Sequence, residues 1–277
     1  MANRRILNSK NIFWFGLLVW GASVMNAAAD EPIKKLILPG EVFLIEGRPS
    51  FVLTPKVNPP TGSRPWVFYA PTLNGLPDEH EKWMHEQFLA AGVAVAGIDV
   101  GEGYGSPKAQ QLFTAFYHEM TQKRGYAAKP CLLGRSRGGL WVTAWAGANP
   151  DKVAGIAGIY PVFDLRTYPG LKNAAPTYEL TAEQLEMRLG ELHPIEQVSK
   201  LAAARIPAFM IHGDVDTVVP LKENSAEFVA RYRAANAEKS VTLIVANGQG
   251  HNYWEGFFRC QELVEFTIAA AKNGAKP

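Results

Sequence analysis

Ser136 lies in the segment of this 277-residue chain whose residue types and spacing are most typical of a catalytic turn. It lies within the run Gly134-Arg135-Ser136-Arg137-Gly138-Gly139. The pattern G-x-S-x-G is typical of a sharp strand-to-helix turn that lifts a serine hydroxyl above a sheet. A short apolar run, 131–133, precedes it, and an apolar stretch, 140–146, follows it. This context predicts that Ser136 is a nucleophile.

A serine hydroxyl needs an imidazole to accept its proton and a carboxylate to orient that imidazole. Two later apolar runs end in loops that supply both groups. Asp216 follows the run 209–211, and His251 follows the run 243–245. The predicted triad therefore has the chain order serine, aspartate, histidine. Asp99 and Asp164 lie near other strand ends and are alternative acids, whereas His212 is interpreted as structural.

Three motifs carry a family resemblance. The pattern H-G-x-x-D-x-x-V-P is met from His212 to Pro220, and a Gly-His pair occurs at Gly250-His251. Residues 99–106 are similar to a D-x-R-G-x-G-x-S turn, with Glu102 where arginine is usual. From Trp66 onward the chain resembles the α/β-hydrolase superfamily, in its branch of prolyl-oligopeptidase-like esterases and peptidases. The resemblance implies that Asp216, and not Asp214, is the triad acid.

The order of elements agrees with that resemblance. Apolar runs typical of buried strands alternate with segments of helical spacing, and this alternation predicts a mostly parallel sheet covered by helices on both faces. We expect an α/β class, α/β-hydrolase fold over residues 30–277, with a small lid inserted at about 160–203. The predicted strands are 35–38, 42–45, 50–54, 66–70, 93–98, 130–133, 153–159, 207–211 and 241–245. The predicted helices begin at Asp78 and cover 107–124, 137–148, 220–236 and 255–271.

The transition state of acyl transfer carries a negative oxygen, which backbone amides can bind. One donor is predicted to be the amide of Arg137, directly after the nucleophile. Because Pro71 has no N–H, the second donor is Thr72 or Leu73. The Arg137 side chain has two interpretations. A Ser-Arg pair is similar to that of glucuronoyl esterases and favours a role in catalysis or carboxylate binding; alternatively, the guanidinium pairs with a surface acid.

Aromatic residues follow several predicted strand ends. Tyr160, Tyr253 and Trp254 are predicted to bind substrate at the rim, because flat rings stack on acyl and sugar faces. Packing beneath the lid is the alternative.

The N-terminal residues predict export. Three cations, Arg4, Arg5 and Lys10, precede the apolar stretch 12–25 and then Ala27-Ala28-Ala29. This order is typical of a cleavable signal peptide over residues 1–29. An uncleaved membrane anchor is the alternative. We expect a secreted or periplasmic protein that has no membrane contact after cleavage.

Composition limits the partners. With 28 basic and 26 acidic residues, the formal charge is +2, which does not favour nucleic acid. Neither C-x-x-C nor H-E-x-x-H occurs, so no metal or cofactor is expected. Cys131 and Cys260 are predicted free thiols, with a disulfide as the alternative. The predicted function is an exported serine hydrolase that cleaves small-molecule or glycan esters, including acyl or uronate esters of polysaccharides. An oligopeptidase-like peptidase and a non-catalytic binding protein are the alternatives.

Overall fold

Eight strands form one sheet in the computed structural model, which describes residues 34–56 and 63–276. Their spatial order is β1-β2-β4-β3-β5-β6-β7-β8. The strands are β1 Gly40–Ile45, β2 Arg48–Leu53, β3 Trp66–Ala70, β4 Ala94–Ile98, β5 Cys131–Arg135, β6 Gly155–Ile159, β7 Ala208–Gly213 and β8 Val241–Ala246. From β4 to β8 in this order every neighbouring pair is parallel, whereas β2 is antiparallel to both β1 and β4.

The first two strands form a hairpin whose turn explains its antiparallel pairing. Glu46 and Gly47 both have positive φ, 49° and 73°. Two such residues between paired strands match the twist of a tight hairpin. The parallel strands instead require crossover connections, and helices supply them.

Helices cover both faces of the sheet. They are α1 Lys82–Ala90, α2 Pro107–His118, α3 Gly138–Ala148, α4 Leu171–Ala174, α5 Ala182–Met187, α6 Leu189–Leu192, α7 Pro194–Ala203, α8 Glu227–Ala234, α9 Glu255–Phe258 and α10 Gln261–Gly274. Side chains alternate along each strand, so β3 directs Phe68 to one core and Val67 and Tyr69 to the other. The first core packs against α2, α3, α7 and α8, and the second packs against α1 and α10. The predicted architecture, a mostly parallel sheet between helical layers, is confirmed.

Several predicted elements differ in the structure, and the helix predicted at 107–124 ends as α2 at His118. Residues 35–38 form no strand, although Leu36 and Leu38 pack against the second core. The helix predicted from Asp78 begins at Lys82 instead. Residues 78–81 form a turn, and the Glu81 side chain at its end is buried in the core. The long helices predicted at 220–236 and 255–271 are each divided, the second into α9 and α10.

The segment between β6 and β7 contains the four short helices α4 to α7. Its last helix, α7, packs along α3 through buried Ile195, Val198 and Leu201. The predicted signal peptide, residues 1–29, lies outside the described residues. Within the described ranges, no helix is both long enough and apolar enough to cross a bilayer.

Candidate active site

The turn after β5 holds Ser136 in a strained backbone conformation. Its φ is +50°, a left-handed value that non-glycine residues seldom adopt. The Ser136 amide donates to Ile159 O at 2.9 Å, and its carbonyl accepts from the amides of Gly139 and Val162. These bonds tie the turn to the end of β6 and to α3. The strand extends to Arg135, two residues beyond the predicted end.

Gly138 allows α3 to approach β3 closely. A Cβ atom at this position would lie 2.2 Å from the carbonyl oxygen of Ala70. No side chain fits at that separation, so the second glycine of the motif is required by the contact between helix and strand. The turn therefore projects Ser136 at the carboxyl edge of the sheet.

Ser136, His251 and Asp216 meet at this edge although they come from the ends of three different strands. Ser136 Oγ lies 2.8 Å from His251 Nε2. His251 Nδ1 lies 2.8 Å from Asp216 Oδ2. If Nδ1 carries the proton and donates to the carboxylate, Nε2 is free to accept the serine proton. The structure thus brings together the three residues that the sequence singled out.

The Asp216 carboxylate is held by more than the histidine. Its Oδ1 accepts from the amides of Val218 and Val219, at 3.0 and 2.8 Å. Burial acts to raise its pKa, but hydrogen bonds from His212, His251 and Val219 outweigh it and bring the pKa well below the usual range. The acid therefore stays ionised across the pH range in which an imidazole can act as a base.

Other residues near the triad have structural partners. His212 is buried, with Nδ1 2.8 Å from Ser225 Oγ and Nε2 2.8 Å from Val219 O. Asp214 accepts from the Gly248 amide on the neighbouring loop. Asp99 pairs with Arg48, and Asp164 lies 2.9 Å from His193 Nε2. The alternative acids are therefore engaged away from His251.

The predicted oxyanion donors are the amide of Arg137 and that of Thr72 or Leu73. The Arg137 amide has no acceptor within the described residues, which leaves its N–H available beside Ser136. Pro71 lines the pocket, and Thr72 and Leu73 follow it without contributing to the lining. The Thr72 hydroxyl donates to Tyr69 O at 3.2 Å. The identity of the second donor remains a prediction.

A pocket of about 200 Å³ opens above the triad. Tyr160 and Tyr253 line it, whereas Trp254 lies outside the lining with its ring edge against Phe257. Tyr160 is buried, and its ring centroid lies 4.3 Å from that of His251. Its φ of +33° is again a left-handed value, as at the nucleophile. Tyr253 is 60% exposed and stacks on His80 with 4.2 Å between ring centroids.

The Arg137 side chain pairs with Glu102 on the turn after β4. This contact corresponds to the second interpretation of Arg137, a pairing with a partly exposed acid.

The sequence alone did not reveal the role of Arg135. Its side chain is 7% exposed, and Nη1 bonds Glu81 at 2.8 Å and Asp78 at 3.0 Å. Tyr69 donates its hydroxyl to the other oxygen of Glu81. A cation at the end of a buried apolar strand requires a carboxylate partner. This requirement is the feature of the sequence from which the role of Arg135 could have been predicted. Arg135 also lines the pocket beside the nucleophile.

Cys131 and Cys260 are free and buried. Burial raises the pKa of the Cys131 thiol, so it is a poor nucleophile under the sheet. Across residues 34–56 and 63–276, no group of three or more His, Cys, Asp or Glu side chains is arranged to hold a metal ion.

A family model described as the prolyl oligopeptidase family matches residues 99–268, more than half of the chain and the whole of the Ser136, Asp216 and His251 set. This chain belongs to the prolyl oligopeptidase family. It is thus a member of a family of serine hydrolases. A search of curated proteins returned no match.

Solved structures show the same fold as this family member. A Mycobacterium tuberculosis puromycin-hydrolyzing peptidase is 16% identical over 85% of this chain and 39% of its own, with a TM-score of 0.62. Est1E from Butyrivibrio proteoclasticus is 18% identical over 83% of this chain and 98% of its own, with a TM-score of 0.61. A 2,6-dihydroxy-pseudo-oxynicotine hydrolase is 21% identical over 87% and 70%, with a TM-score of 0.60. The fold is the α/β-hydrolase fold, and the chain spans 39% of the length of the puromycin-hydrolysing proteins that it matches.

Proposed function

We propose that this chain is an exported serine hydrolase that cleaves carboxylic esters through an acyl-enzyme. The observation that carries the proposal is the continuous hydrogen-bonded series from Ser136 Oγ through His251 to Asp216. His251 takes the serine proton as Oγ attacks the ester carbonyl, and the Arg137 amide donates to the oxyanion that forms. His251 then protonates the departing alcohol, and water releases the acyl group by the reverse steps.

The lining of the pocket favours an ester over a peptide. Among the described residues that line it, none is an acid, so the ammonium terminus of a short peptide has no carboxylate partner. Asp78 and Glu81 are bound by Arg135, and Glu102 is bound by Arg137. Glu79, Glu86 and Glu255 line an adjoining cleft and not this pocket. The lining instead offers N–H and O–H donors and aromatic faces, which suit a neutral substrate rich in oxygen.

A glycan ester is the substrate class that this surface suits best. On the other side of Tyr253 lies a second cleft, about 430 Å³, lined in part by His80 and Trp83. Aromatic side chains along two adjoining clefts can stack on successive sugar rings. We therefore propose acyl or uronate esters of polysaccharides, with Tyr160 and Tyr253 as the residues that face the sugar or acyl group; Trp254 lines neither of these two clefts. The oligopeptidase-like peptidase remains the second candidate, because the family match includes peptidases.

The decisive experiment compares 4-nitrophenyl acetate hydrolysis by the wild-type chain and by Ser136→Ala. We expect the variant to lose activity and to lose labelling by a fluorophosphonate probe. Ser199→Ala, on the exposed side of α7, is the matched control and should keep both. Equal rates in wild type and Ser136→Ala would overturn the nucleophile assignment.

Two further assays address the finer parts of the proposal. Acetylated xylan and methyl glucuronate esters are compared with peptide 4-nitroanilides, and faster amide than ester turnover would favour the peptidase. For export, the full chain is expressed with its first 29 residues, and the N-terminus of the mature protein is sequenced. We expect it to begin at Asp30, whereas an intact N-terminus in the membrane fraction would indicate an anchor.

A further inference from the structure

Arg135 is bound by carboxylates through one nitrogen only, and its guanidinium also lies 5.0 Å from the Phe258 ring centroid and 5.5 Å from that of Tyr253. Its Nη1 bonds both Glu81 and Asp78, and Glu81 is in turn held by the Tyr69 hydroxyl and the Asp78 amide. Within the described part of the chain, Nε and Nη2 hydrogen bond to no carboxylate and no carbonyl oxygen. Yet the side chain is 93% buried and lines the pocket. A buried guanidinium at a pocket wall whose Nε and Nη2 have no carboxylate or carbonyl partner is able to bind an acceptor in the pocket.

Tyr160 provides a second donor at the same wall. Its ring lies between His251 and Phe257, with centroids 4.3 and 4.9 Å away. Burial raises the pKa of Tyr160, and its hydrogen bond and charge interaction with Arg135 oppose that rise. Arg135 and Tyr160 both line the same pocket, and the Tyr160 hydroxyl stays protonated.

The charges around Arg135 decide which acceptor fits. One guanidinium is shared by two carboxyl groups, so the cluster has no excess positive charge to attract an anion. Its N–H groups remain directional donors. A neutral oxygen, such as a carbonyl, ether or hydroxyl oxygen, satisfies them without adding a buried charge, whereas a carboxylate would add one.

We propose that Arg135 and Tyr160 form a specificity subsite for a neutral oxygen acceptor in the substrate group next to the scissile ester. Glu81 and Asp78 act as positioning residues that hold the Arg135 guanidinium at the wall of the pocket. This proposal rests on the proposed ester hydrolase function and names the substrate feature that it prefers. Sugar hydroxyls and ring oxygens belong to this class of acceptor.

The test uses two pairs of esters that differ by one CH2-to-oxygen replacement. On the acyl side, 4-nitrophenyl methoxyacetate is compared with 4-nitrophenyl butanoate. On the alcohol side, 2-methoxyethyl acetate is compared with butyl acetate. Each kcat/KM is divided by the rate of alkaline hydrolysis of the same ester. We expect the wild type to prefer the oxygen-bearing ester about tenfold or more in one pair, the range of a hydrogen bond to a charged donor.

The variants are Arg135→Lys and Tyr160→Phe. The first keeps a cation for Glu81 but loses the planar set of guanidinium N–H donors, and the second loses only the hydroxyl. We expect the oxygen preference to fall about tenfold in the first and severalfold in the second. Arg188→Lys, in an exposed pair with Glu191, is the control and should keep the preference. Circular dichroism and fluorophosphonate labelling check that each variant is folded.

The outcomes separate the two proposals. A wild type that cleaves none of the four esters contradicts the proposed function. A wild type that cleaves them with no oxygen preference in either pair overturns the subsite, whatever the variants do. A preference that persists in full in Tyr160→Phe and in folded Arg135→Lys also overturns it. Faster turnover of 4-nitrophenyl hydrogen succinate than of the methoxyacetate would show that the wall binds anions instead.

Discussion

Glu102 and Arg137 form an ion pair that joins the glycine-rich turn after β4 to the start of α3. The two side chains are 43% and 31% exposed, so water screens their interaction. Pairs of this kind contribute at most about 1 kcal/mol to stability. Meanwhile the backbone amide of Arg137, beside Ser136, has no acceptor among the described residues. The chemistry at this position is thus expected to lie with the amide and not with the guanidinium.

Replacement of the guanidinium tests that expectation. We expect Arg137→Gln to keep kcat for 4-nitrophenyl acetate within about threefold of wild type, and its free energy of unfolding within about 1 kcal/mol. Steady-state kinetics and urea denaturation provide the two measurements. Glu102→Gln is the matched control, because it breaks the same ion pair from the other side. A loss of about a hundredfold confined to Arg137→Gln would instead assign transition-state stabilisation to the side chain.

Replacement of Asp216, the carboxylate that orients His251, is expected to lower kcat more than replacement of Arg137. In Asp216→Asn, the side-chain amide can donate to His251 and favour the wrong tautomer. We expect kcat to fall about 10³- to 10⁴-fold with little change in KM. Asp214→Asn, on the same loop and with its carboxylate bound by the Gly248 amide, is the control and should remain active. Comparable losses in both variants would show that loop structure, and not the tautomer, is responsible.

His85 offers a prediction about stability and pH. Its ring is buried between Tyr69 and Phe88, and neither ring nitrogen has a partner among the described residues. Burial, with a smaller contribution from Arg135, lowers the pKa of His85 to about 3. Below pH 6.5 the unfolded chain takes up a proton there that the folded chain does not. His85 therefore destabilises the fold progressively as the pH falls from 6.5 towards 3.

We expect His85→Phe to be more stable than wild type by about 1 kcal/mol at pH 7.5, because a buried unpaired group is removed. The advantage should grow below pH 6.5, by at most about 1.4 kcal/mol per pH unit. Urea denaturation at pH 7.5 and pH 5 measures the difference. His118→Gln, on the surface of α2, is the control. An advantage that is independent of pH would contradict the neutral state of His85.

The close approach at Gly138 predicts a steric failure. In Gly138→Ala the new methyl would meet the Ala70 carbonyl, so α3 or β3 must shift. We expect a loss of about 3 kcal/mol or more in the free energy of unfolding, together with lower activity. Gly190→Ala, where a Cβ meets nothing within 4 Å, is the control and should be neutral or slightly stabilising. Thermal unfolding of both variants decides the point.

The sequence predicted those parts of the fold that depend on local patterns. Strand β3 was predicted at its observed bounds, because it is apolar on both faces and ends at prolines. The run at 35–38 was wrongly predicted as a strand. Leu36 and Leu38 are partly buried there, but periodicity reports burial and not hydrogen bonding to a neighbouring strand.

Tertiary contacts account for what the sequence did not reveal. The late start of α1 follows from Glu81, whose carboxylate enters the core to meet Arg135, 54 residues away. No local pattern encodes that partnership. Burial raises the pKa of Glu81, and the interactions with Arg135, Tyr69 and the Asp78 amide oppose this rise. The same contact makes Arg135 part of the pocket wall, so the missed helix start and the missed site residue have one cause.

The contact between α3 and α7 has an evolutionary consequence. Gly147 of α3 accommodates Gln197 of α7 so closely that a Cβ on the glycine would lie 2.4 Å from the Cβ of the glutamine. The inserted segment and the helix behind the nucleophile are therefore matched surfaces. A relative with a different helix in place of α7 would need a residue at position 147 that is matched to that helix.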